Sequence, residues 1–458
     1  MRRGLEIGPD QDGLVASLGR RVHITTLGCR LNEAESEEWA ERFRDAGFRV
    51  VDANAPADLV VVNTCAVTQE AVRKSRAVLR RSQRANPQAR LIVSGCLATL
   101  GDSAVSTESG VDLIVANRDK DRLVAIALAT LNLPAMPETA ATDAAGALFA
   151  RGRQRAFIKI QDGCRYSCTF CITTVARGAE RSRTPAEIIG TIDRLVEQGI
   201  REVVLTGVHL GGYGSDSGGT LSDLIARILG ETGIPRLRLG SLEPWDLGDG
   251  FWRCFEDPRL MPHLHLPLQS GSDRVLRRMA RRCKTAEFAR LIEQGRARVP
   301  DLNITTDIIV GFPGESFDDW DETLAFAESI RFGHIHAFAY SPRAGTQAAE
   351  MPGQVDSHTK HRRLLALKNL ALNMREAVLR EQIGKAVEIL CEGNPGGERR
   401  ETRFGYTPNY LPVQVAAHET AIDGNQLVKV VLSGLEESGL ALVGQPIDPA
   451  DRGTGIQN

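Results

Sequence analysis

Cys164, Cys168 and Cys171 stand at a C-x3-C-x2-C spacing in CRYSCTFC, directly after a strand-like run at 156–161. Three ligands leave a metal with an open position, whereas a structural zinc site closes its tetrahedron with protein groups. Thiolates are the usual ligands of a [4Fe-4S] cluster. Three of them leave one iron free for a small molecule, with Phe170 between the last two cysteines beside it. The alternative is a zinc knuckle completed by a distant Cys or His. A second set, Cys29, Cys65 and Cys96, sits in GCRLN, NTCAV and SGCLA at separations of 36 and 31 residues. A lone cysteine is most simply a small buried hydrophobe, but three at nearly equal intervals read as a second three-thiolate site.

That interval matches a βαβ unit, roughly 30 residues long. Strand-like runs at 22–27, 59–63, 91–94 and 112–116 alternate with amphipathic stretches at 33–46 and 69–85, which predicts a small parallel α/β sheet. Each of the three cysteines directly follows a strand, so all fall on carboxyl-end loops, where such sheets bind ligands. The first domain is placed at 20–135, and a Pro/Ala-rich linker at 131–150. Six further strand-like runs, near 156–161, 202–206, 236–240, 263–268, 303–310 and 335–340, predict an open six-fold β/α barrel over 150–380. Its cysteine loop again lies at the carboxyl end of a strand. A long amphipathic stretch at 359–382 leads out of the barrel. Period-two runs at 386–391, 411–416 and 427–432 then predict a small antiparallel β-barrel over 381–446, with a disordered tail beyond. The fold class is therefore α/β with a C-terminal β-barrel.

The 458 residues exceed one ordinary core. Lys plus Arg (56) nearly balances Asp plus Glu (58), so any nucleic-acid surface must be local. One such surface is 73–84, where Arg73, Lys74, Arg76, Arg80, Arg81 and Arg84 occur with no acid. It reads as a solvated helix face or a phosphate contact. Arg177, Arg181 and Arg183 follow the second cysteine loop, and Arg277, Arg278, Arg281, Arg282 and Lys284 form a further basic knot, as ion-pair partners or as phosphate and carboxylate contacts. No apolar run approaches the roughly 18–20 residues of a membrane span. Arg2 and Arg3 are followed by Glu6, Asp10 and Asp12 rather than by an apolar signal core. The expectation is a cytoplasmic protein without a membrane, whose nine cysteines are ligands or free thiols.

CRYSCTFC resembles the cluster motif of the radical S-adenosylmethionine (SAM) superfamily. LGCRLNEAESE, NTCAVTQEAVRKSR and SGCLA are similar to the N-terminal domain of the methylthiotransferases within it, most of all to their threonylcarbamoyladenosine tRNA branch. The likeness runs from about 21 to 446, although Leu31, Glu33 and Ala34 replace the commoner Val, Gln and Tyr, and Thr173 and Thr174 the commoner Ile-Pro. The resemblance implies two [4Fe-4S] clusters, held by Cys29, Cys65 and Cys96 and by Cys164, Cys168 and Cys171. The second would bind SAM and cleave it to a 5'-deoxyadenosyl radical. It also implies SAM contacts from Phe170, Gly207, Ser241 and Glu243 (ribose), Gln269, and Gly311 (near adenine). The implied reaction places a methylthio group on carbon 2 of an adenine in a tRNA anticodon loop, with an electron donor of flavodoxin or ferredoxin type and a separate sulfur source. GYTPNYLPVQV resembles the TRAM RNA-binding barrel, with Tyr406, Asn409 and Tyr410 as stacking faces behind Arg399, Arg400 and Arg403, or else with the two tyrosines filling the small barrel. Two rivals stand beside this reading. One is a methylthiotransferase for isopentenyl-adenosine or a ribosomal-protein aspartate, against which the first-cysteine motif and RKSR argue. The other is a non-catalytic RNA-binding iron-sulfur protein, against which the open three-cysteine sites argue.

Overall fold

The computed structural model describes residues 20–103, 105–106, 110–133, 155–392, 402–416 and 424–447. Arg399, Arg400, most of the 131–150 linker and the tail beyond 447 lie outside them. The chain forms two compact units, one ending at Ala147 and the other beginning at Leu148.

The first unit carries a five-stranded parallel sheet of β1 (Arg21–Thr26), β2 (Arg49–Val50), β3 (Leu59–Thr64), β4 (Arg90–Gly95) and β5 (Leu113–Val115), in the order β2-β1-β3-β4-β5. The unexpected β2 is a two-residue edge strand, too short to show a period. Strand β3 is buried along its whole length, as a central strand covered on both faces must be. Helices Arg30–Asp45 and Gln69–Ala85 follow β1 and β3. The second is capped by Thr68, whose hydroxyl accepts from the Ala71 N–H at 3.0 Å. Only Ser75 and Leu79 of that helix are buried, so its basic residues lie on the outside. Arg76 pairs with Asp102 and Lys74 with Glu70, while Arg73, Arg80, Arg81 and Arg84 stay exposed.

The second unit opens with six parallel strands at the expected places: β6 (Arg155–Lys159), then, after the short hairpin β7 (Gln161–Asp162) and β8 (Arg181–Ser182), β9 (Glu202–Thr206), β10 (Arg236–Leu239), β11 (His263–His265), β12 (Asn303–Val310) and β13 (His334–Ala339). They form two sheets, β6-β9-β10 and β11-β12-β13, joined by isolated parallel bridges Leu237–Leu260 and Ser241–His265. The result is an open six-strand β/α arrangement. One face of the strands, including Leu264, Ile304, Ile308 and Ile335, packs under helix residues such as Phe288 and Ile292. The TPAE sequence starts the helix Pro185–Glu197 with a capping box between Thr184 and Glu187 and a proline in the first turn.

The helix Ser357–Arg380 gives Leu367, Ala371 and Met374 to this core and Leu379 to the next. It leads to a closed barrel of β14 (Ala386–Cys391), β15 (Thr402–Tyr406), β16 (Pro412–Ala416), β17 (Leu427–Leu435) and β18 (Leu442–Pro446). The pairing is antiparallel except between β16 and β18, which run parallel and close the barrel.

The loop between β15 and β16 corrects an expectation. Tyr406 and Tyr410 stack on each other at 4.8 Å and are packed against the amino ends of the parallel strands. Arg155 lies over both rings, and Arg238 over Tyr410. Arg236 and Arg238 donate to the carbonyls of Thr407 (both 3.0 Å) and Pro408 (2.8 Å), and Asn303 donates to that of Asn409 at 2.8 Å. Tyr406, Asn409 and Tyr410 therefore plug the barrel floor and are not free to stack RNA bases. Buried in that floor, Glu202 lies 3.0–3.2 Å from Arg155, Arg236 and Arg238. The attraction of the three guanidinium groups holds the carboxylate charged in that floor.

Burial alone would raise the Glu202 carboxyl, but the three arginines outweigh it and bring it down to about 2. Burial holds Arg236 down to about 10, still charged at neutral pH. The Glu202 contribution is thus present above its unfolded value of about 4.3 and is lost as pH falls towards 2. Removing one member strands the others, so Glu202→Gln should cost about 3–5 kcal/mol in denaturant unfolding at pH 7. The difference from the parent should shrink as the pH is lowered from 5 to 3.

Candidate functional site

In the first unit, three adjacent strands deliver one cysteine each. Cys29 follows β1, Cys65 follows β3 and Cys96 follows β4, and neighbouring strands lie about 4.8 Å apart, so one rim carries all three. Gly28 and Gly95, each just before a cysteine, both have φ of +101°. A Cβ on Gly28 would lie 2.7 Å from the Cys65 Sγ, and one on Gly95 would lie 2.1 Å from the Thr64 carbonyl oxygen. These glycines let the outer cysteine loops close on the central one. Cys65 and Cys96 are buried and Cys29 is exposed. Asn117 Nδ2 lies 3.7 Å from the Cys96 Sγ, and the Cys29 Sγ 3.9 Å from Asn32 Oδ1.

Beneath the rim, Asn32 donates to the carbonyls of Leu27 and Thr64 (2.6 and 3.2 Å), tying β1 to β3. Asn63 donates to the Asn32 carbonyl at 3.0 Å, and the buried Lys120 reaches both Glu35 (2.5 Å) and Asn63 (3.1 Å). Asn32, Glu35 and Asn63 belong to the sequence motifs. Lys120, far along the chain, carries no local signal that would have revealed it.

In the second unit, the hairpin β7–β8 holds the loop with Cys164, Cys168 and Cys171, all partly exposed. Gly163 has φ of +76°, and a Cβ there would meet the Ala179 carbonyl at 2.0 Å. Asp162 accepts from the Gly163 N–H and from Arg177, both at 2.9 Å. Arg177 is thus a buried brace, which removes it from the candidates for substrate contact. Thr169 bonds through its N–H to the Met279 carbonyl at 3.1 Å and through its hydroxyl to that of Arg278 at 2.9 Å. The Tyr166 N–H donates to the Cys164 Sγ at 3.4 Å, and Arg281 lies 3.9 Å from the Cys168 Sγ. Burial pushes the Cys164 thiol up to about 12 and also raises that of Cys168, which Arg281 partly offsets. Crowded thiols of this kind ionise when cationic iron binds them, and N–H groups aimed at sulfur suit thiolates. The donor set therefore fits a [4Fe-4S] cluster.

A neighbouring network went unforeseen. His209, buried between Glu180 and Asp246, lies 2.5 Å from each, and Cys164, Glu180 and His209 bring ligand atoms within 4.8 Å of one another. Burial opposes the charged imidazole, but the two carboxylates outweigh it and raise the His209 pKa. Tyr166 packs edge-on to the ring at 4.7 Å. The partners are 29 and 37 residues from His209, so no spacing signal exists.

The remaining expected residues follow successive strands on the same rim. Phe170 packs on Phe312 at 6.5 Å. Gly207, after β9, faces Gln161 Oε1, which a Cβ would approach to 3.0 Å. Ser241, after β10, is exposed. Glu243 is held by Arg281 at 2.6 and 3.1 Å. Gln269 has φ of +74° and exchanges backbone bonds with Asp307 and Ile309 at 2.8 and 2.9 Å. Gly311 has φ of +70°, and Lys360 fills the space its Cβ would need. The basic knot divides: Arg278 donates to the Pro313 carbonyl at 2.9 Å and Arg281 lies over the Trp245 ring, whereas Arg277, Arg282 and Lys284 are exposed.

Residues 21–116 match the family described as "Uncharacterized protein family UPF0004", and residues 158–327 match the radical SAM superfamily. The chain is 35% identical over 441 residues to the threonylcarbamoyladenosine tRNA methylthiotransferase MtaB of Bacillus subtilis (strain 168), covering 90% of this chain and 94% of the relative. It is 37% identical to the protein of that name from Thermotoga maritima, covering 81% and 87%. The tRNA-2-methylthio-N(6)-dimethylallyladenosine synthase of Jannaschia sp. (strain CCS1) is 34% identical, with 88% and 92% covered. Among solved structures, the radical SAM methyltransferase TsrM of Kitasatospora setae, with cobalamin and a [4Fe-4S] cluster bound, matches with a TM-score of 0.55 at 15% identity. The match covers 72% of this chain and 77% of that one and reflects a shared fold.

The glycine geometry makes a local prediction. Gly95→Ala meets both the left-handed φ, costing about 1–2 kcal/mol, and a backbone clash. Gly101→Ala, at φ of +73° with nothing within 4 Å, meets only the first. Urea unfolding should therefore show Gly95→Ala as clearly the more destabilised of the two.

Proposed function

The chain belongs to the radical SAM methylthiotransferases, and from that premise we propose that it methylthiolates carbon 2 of threonylcarbamoyl-adenosine beside the anticodon of tRNA. The observation that carries the reading is the pairing of two three-cysteine rims, each at the carboxyl ends of parallel strands, within one chain that matches relatives named for this reaction along most of its length. NTCAVT and RKSR favour this branch over the dimethylallyl one.

In this reading each rim holds a [4Fe-4S] cluster through three thiolates. Cys164, Cys168 and Cys171 would hold the cluster whose chemistry is the one-electron cleavage of SAM, and Cys29, Cys65 and Cys96 would hold a second cluster whose chemistry is the delivery of methylated sulfur. The protein's part is aim and exclusion of water. Gly163 and Asp162 fix the loop, Arg281 faces Cys168 and fixes Glu243, and Phe170, Gly207, Ser241, Gln269 and Gly311 supply the rim on which SAM lies. We assign three functional domains, 20–135, 150–380 and 381–446, the last as a TRAM-type barrel. With Tyr406 and Tyr410 turned inwards, its RNA contact falls to other surfaces. The exposed Arg73, Arg80, Arg81 and Arg84 offer cations for tRNA phosphates. The electron donor is of flavodoxin or ferredoxin type, the sulfur source is separate, and the setting is cytoplasmic. Among the described residues no helix is long and apolar enough to cross a membrane.

Anaerobically reconstituted protein should contain about eight irons. Cys168→Ala should abolish 5'-deoxyadenosine release. Cys65→Ala should still cleave SAM but form no methylthio product. Equal loss of SAM cleavage in the two variants, with the barrel cluster intact, contradicts the division of labour. Offered separate tRNA pools bearing threonylcarbamoyl-adenosine or isopentenyl-adenosine, the reduced enzyme should modify the first. Modification of only the second, read by nucleoside mass spectrometry, overturns the substrate assignment.

A further inference from the structure

The strands β11 to β13 alternate faces with a period of two. Leu264, Ile304, Ile308 and Ile335 pack into the core. The opposite face carries His263, His265, Asn303, Thr305, Asp307, His334 and His336. At its lower end His263 stacks on Tyr410 of the plug, at 5.0 Å, and Asn303 bonds to Asn409, so this is the concave side of the barrel. One step higher, in register across the sheet, Thr305 pairs with His334 and Asp307 with His336, while His265 pairs with Thr305.

His265, Asp307 and His336 each bring a ligand atom to within 4.8 Å of the others. The 3.3 Å between His265 Nε2 and Asp307 Oδ1 is close to the roughly 3.4 Å separating two ligands bound to one tetrahedral ion at about 2.1 Å each. The other ring nitrogen of His265 lies 2.9 Å from the Thr305 hydroxyl, the kind of outer contact that orients a metal-binding imidazole. A third imidazole, His334, sits 4.5 Å from the His336 ring. A simple His265–Asp307 hydrogen bond does not account for the approach of His336.

We propose that His265, Asp307 and His336 bind one divalent transition-metal ion on the concave face of the barrel. Two imidazoles and one carboxylate suit ions such as Ni²⁺, Co²⁺ or Zn²⁺ better than Mg²⁺ or Ca²⁺. Three protein ligands leave a position open to a small molecule, and none of the three is a cysteine of either rim. It depends on neither the substrate assignment nor the cluster count.

The test is calorimetric titration of Ni²⁺ into untagged, anaerobically reconstituted protein, without SAM or tRNA, so that the thiols are already occupied by iron. About one equivalent should bind tightly. His336→Ala, at an exposed position that leaves the core intact, and Asp307→Asn should each weaken binding on the order of 100-fold. Thr305→Val should weaken it about tenfold, as outer-contact changes do. Iron and sulfide content, unchanged in the variants, shows that they are folded and loaded. Failure of the parent protein to bind Ni²⁺ below millimolar concentration, or binding unchanged by His336→Ala, overturns the proposal.

Discussion

A carboxylate with no exposed surface, shared by three arginines, decides which end of the barrel is available for chemistry. Glu202 sits at the start of its strand, with Arg155 and Arg236 at the starts of theirs and Arg238 two residues further along β10. Four charges so placed need one another, because an unpaired buried charge costs several kcal/mol. Arg236 and Arg238 also donate to backbone carbonyls of the turn after Tyr406, and Arg155 donates to the Tyr410 hydroxyl. The charge cluster therefore also anchors the C-terminal barrel to the floor of the parallel one. With the floor closed, the carboxyl rim is the face open to ligand, and every expected SAM contact lies there.

In the function proposed above, the two units solve one problem twice. A three-thiolate site would need ligands from places that a flexible chain would not hold together, and parallel strands bring successive loops to one rim at a fixed spacing. In the first unit three strands give one cysteine each, and two glycines in left-handed backbone let the loops close. In the second a single loop gives all three, and rigidity comes from a hairpin, a buried Arg177–Asp162 pair and the bonds of Thr169. The first arrangement needs a buried polar frame, Asn32–Asn63–Glu35–Lys120, to hold strand ends level. The second needs charged side chains packed close to the thiols.

Those side chains set the environment of the second rim. Arg281 places positive charge 3.9 Å from the Cys168 Sγ, while His209, held between Glu180 and Asp246, lies near Cys164. Positive charge and N–H groups favour thiolate over thiol. Of the basic knot, which reads in sequence as ion-pair partners or as phosphate and carboxylate contacts, Arg278 and Arg281 belong to this internal scaffold, bonded to carbonyls and to Glu243.

The sequence by itself determined the six cysteines, the six barrel strands and the parallel character of the first domain, because these are written in local spacing and in hydrophobic period. It also pointed to the rim, since residues directly after parallel strands have nowhere else to go. Tertiary structure alone decided what depends on partners far apart in the chain. Tyr406 and Tyr410 read as RNA-stacking faces until the arginines of β6 and β10, some 170 residues or more away, take them into the barrel floor. Lys120, His209 and the His265–Asp307–His336 group carry no motif, because strand register rather than sequence separation brings their members together. Arg177 and Arg281 show the same limit from the other side: a basic residue in a sequence is a charge without an address, and its role is fixed by whether the fold hands it an acid.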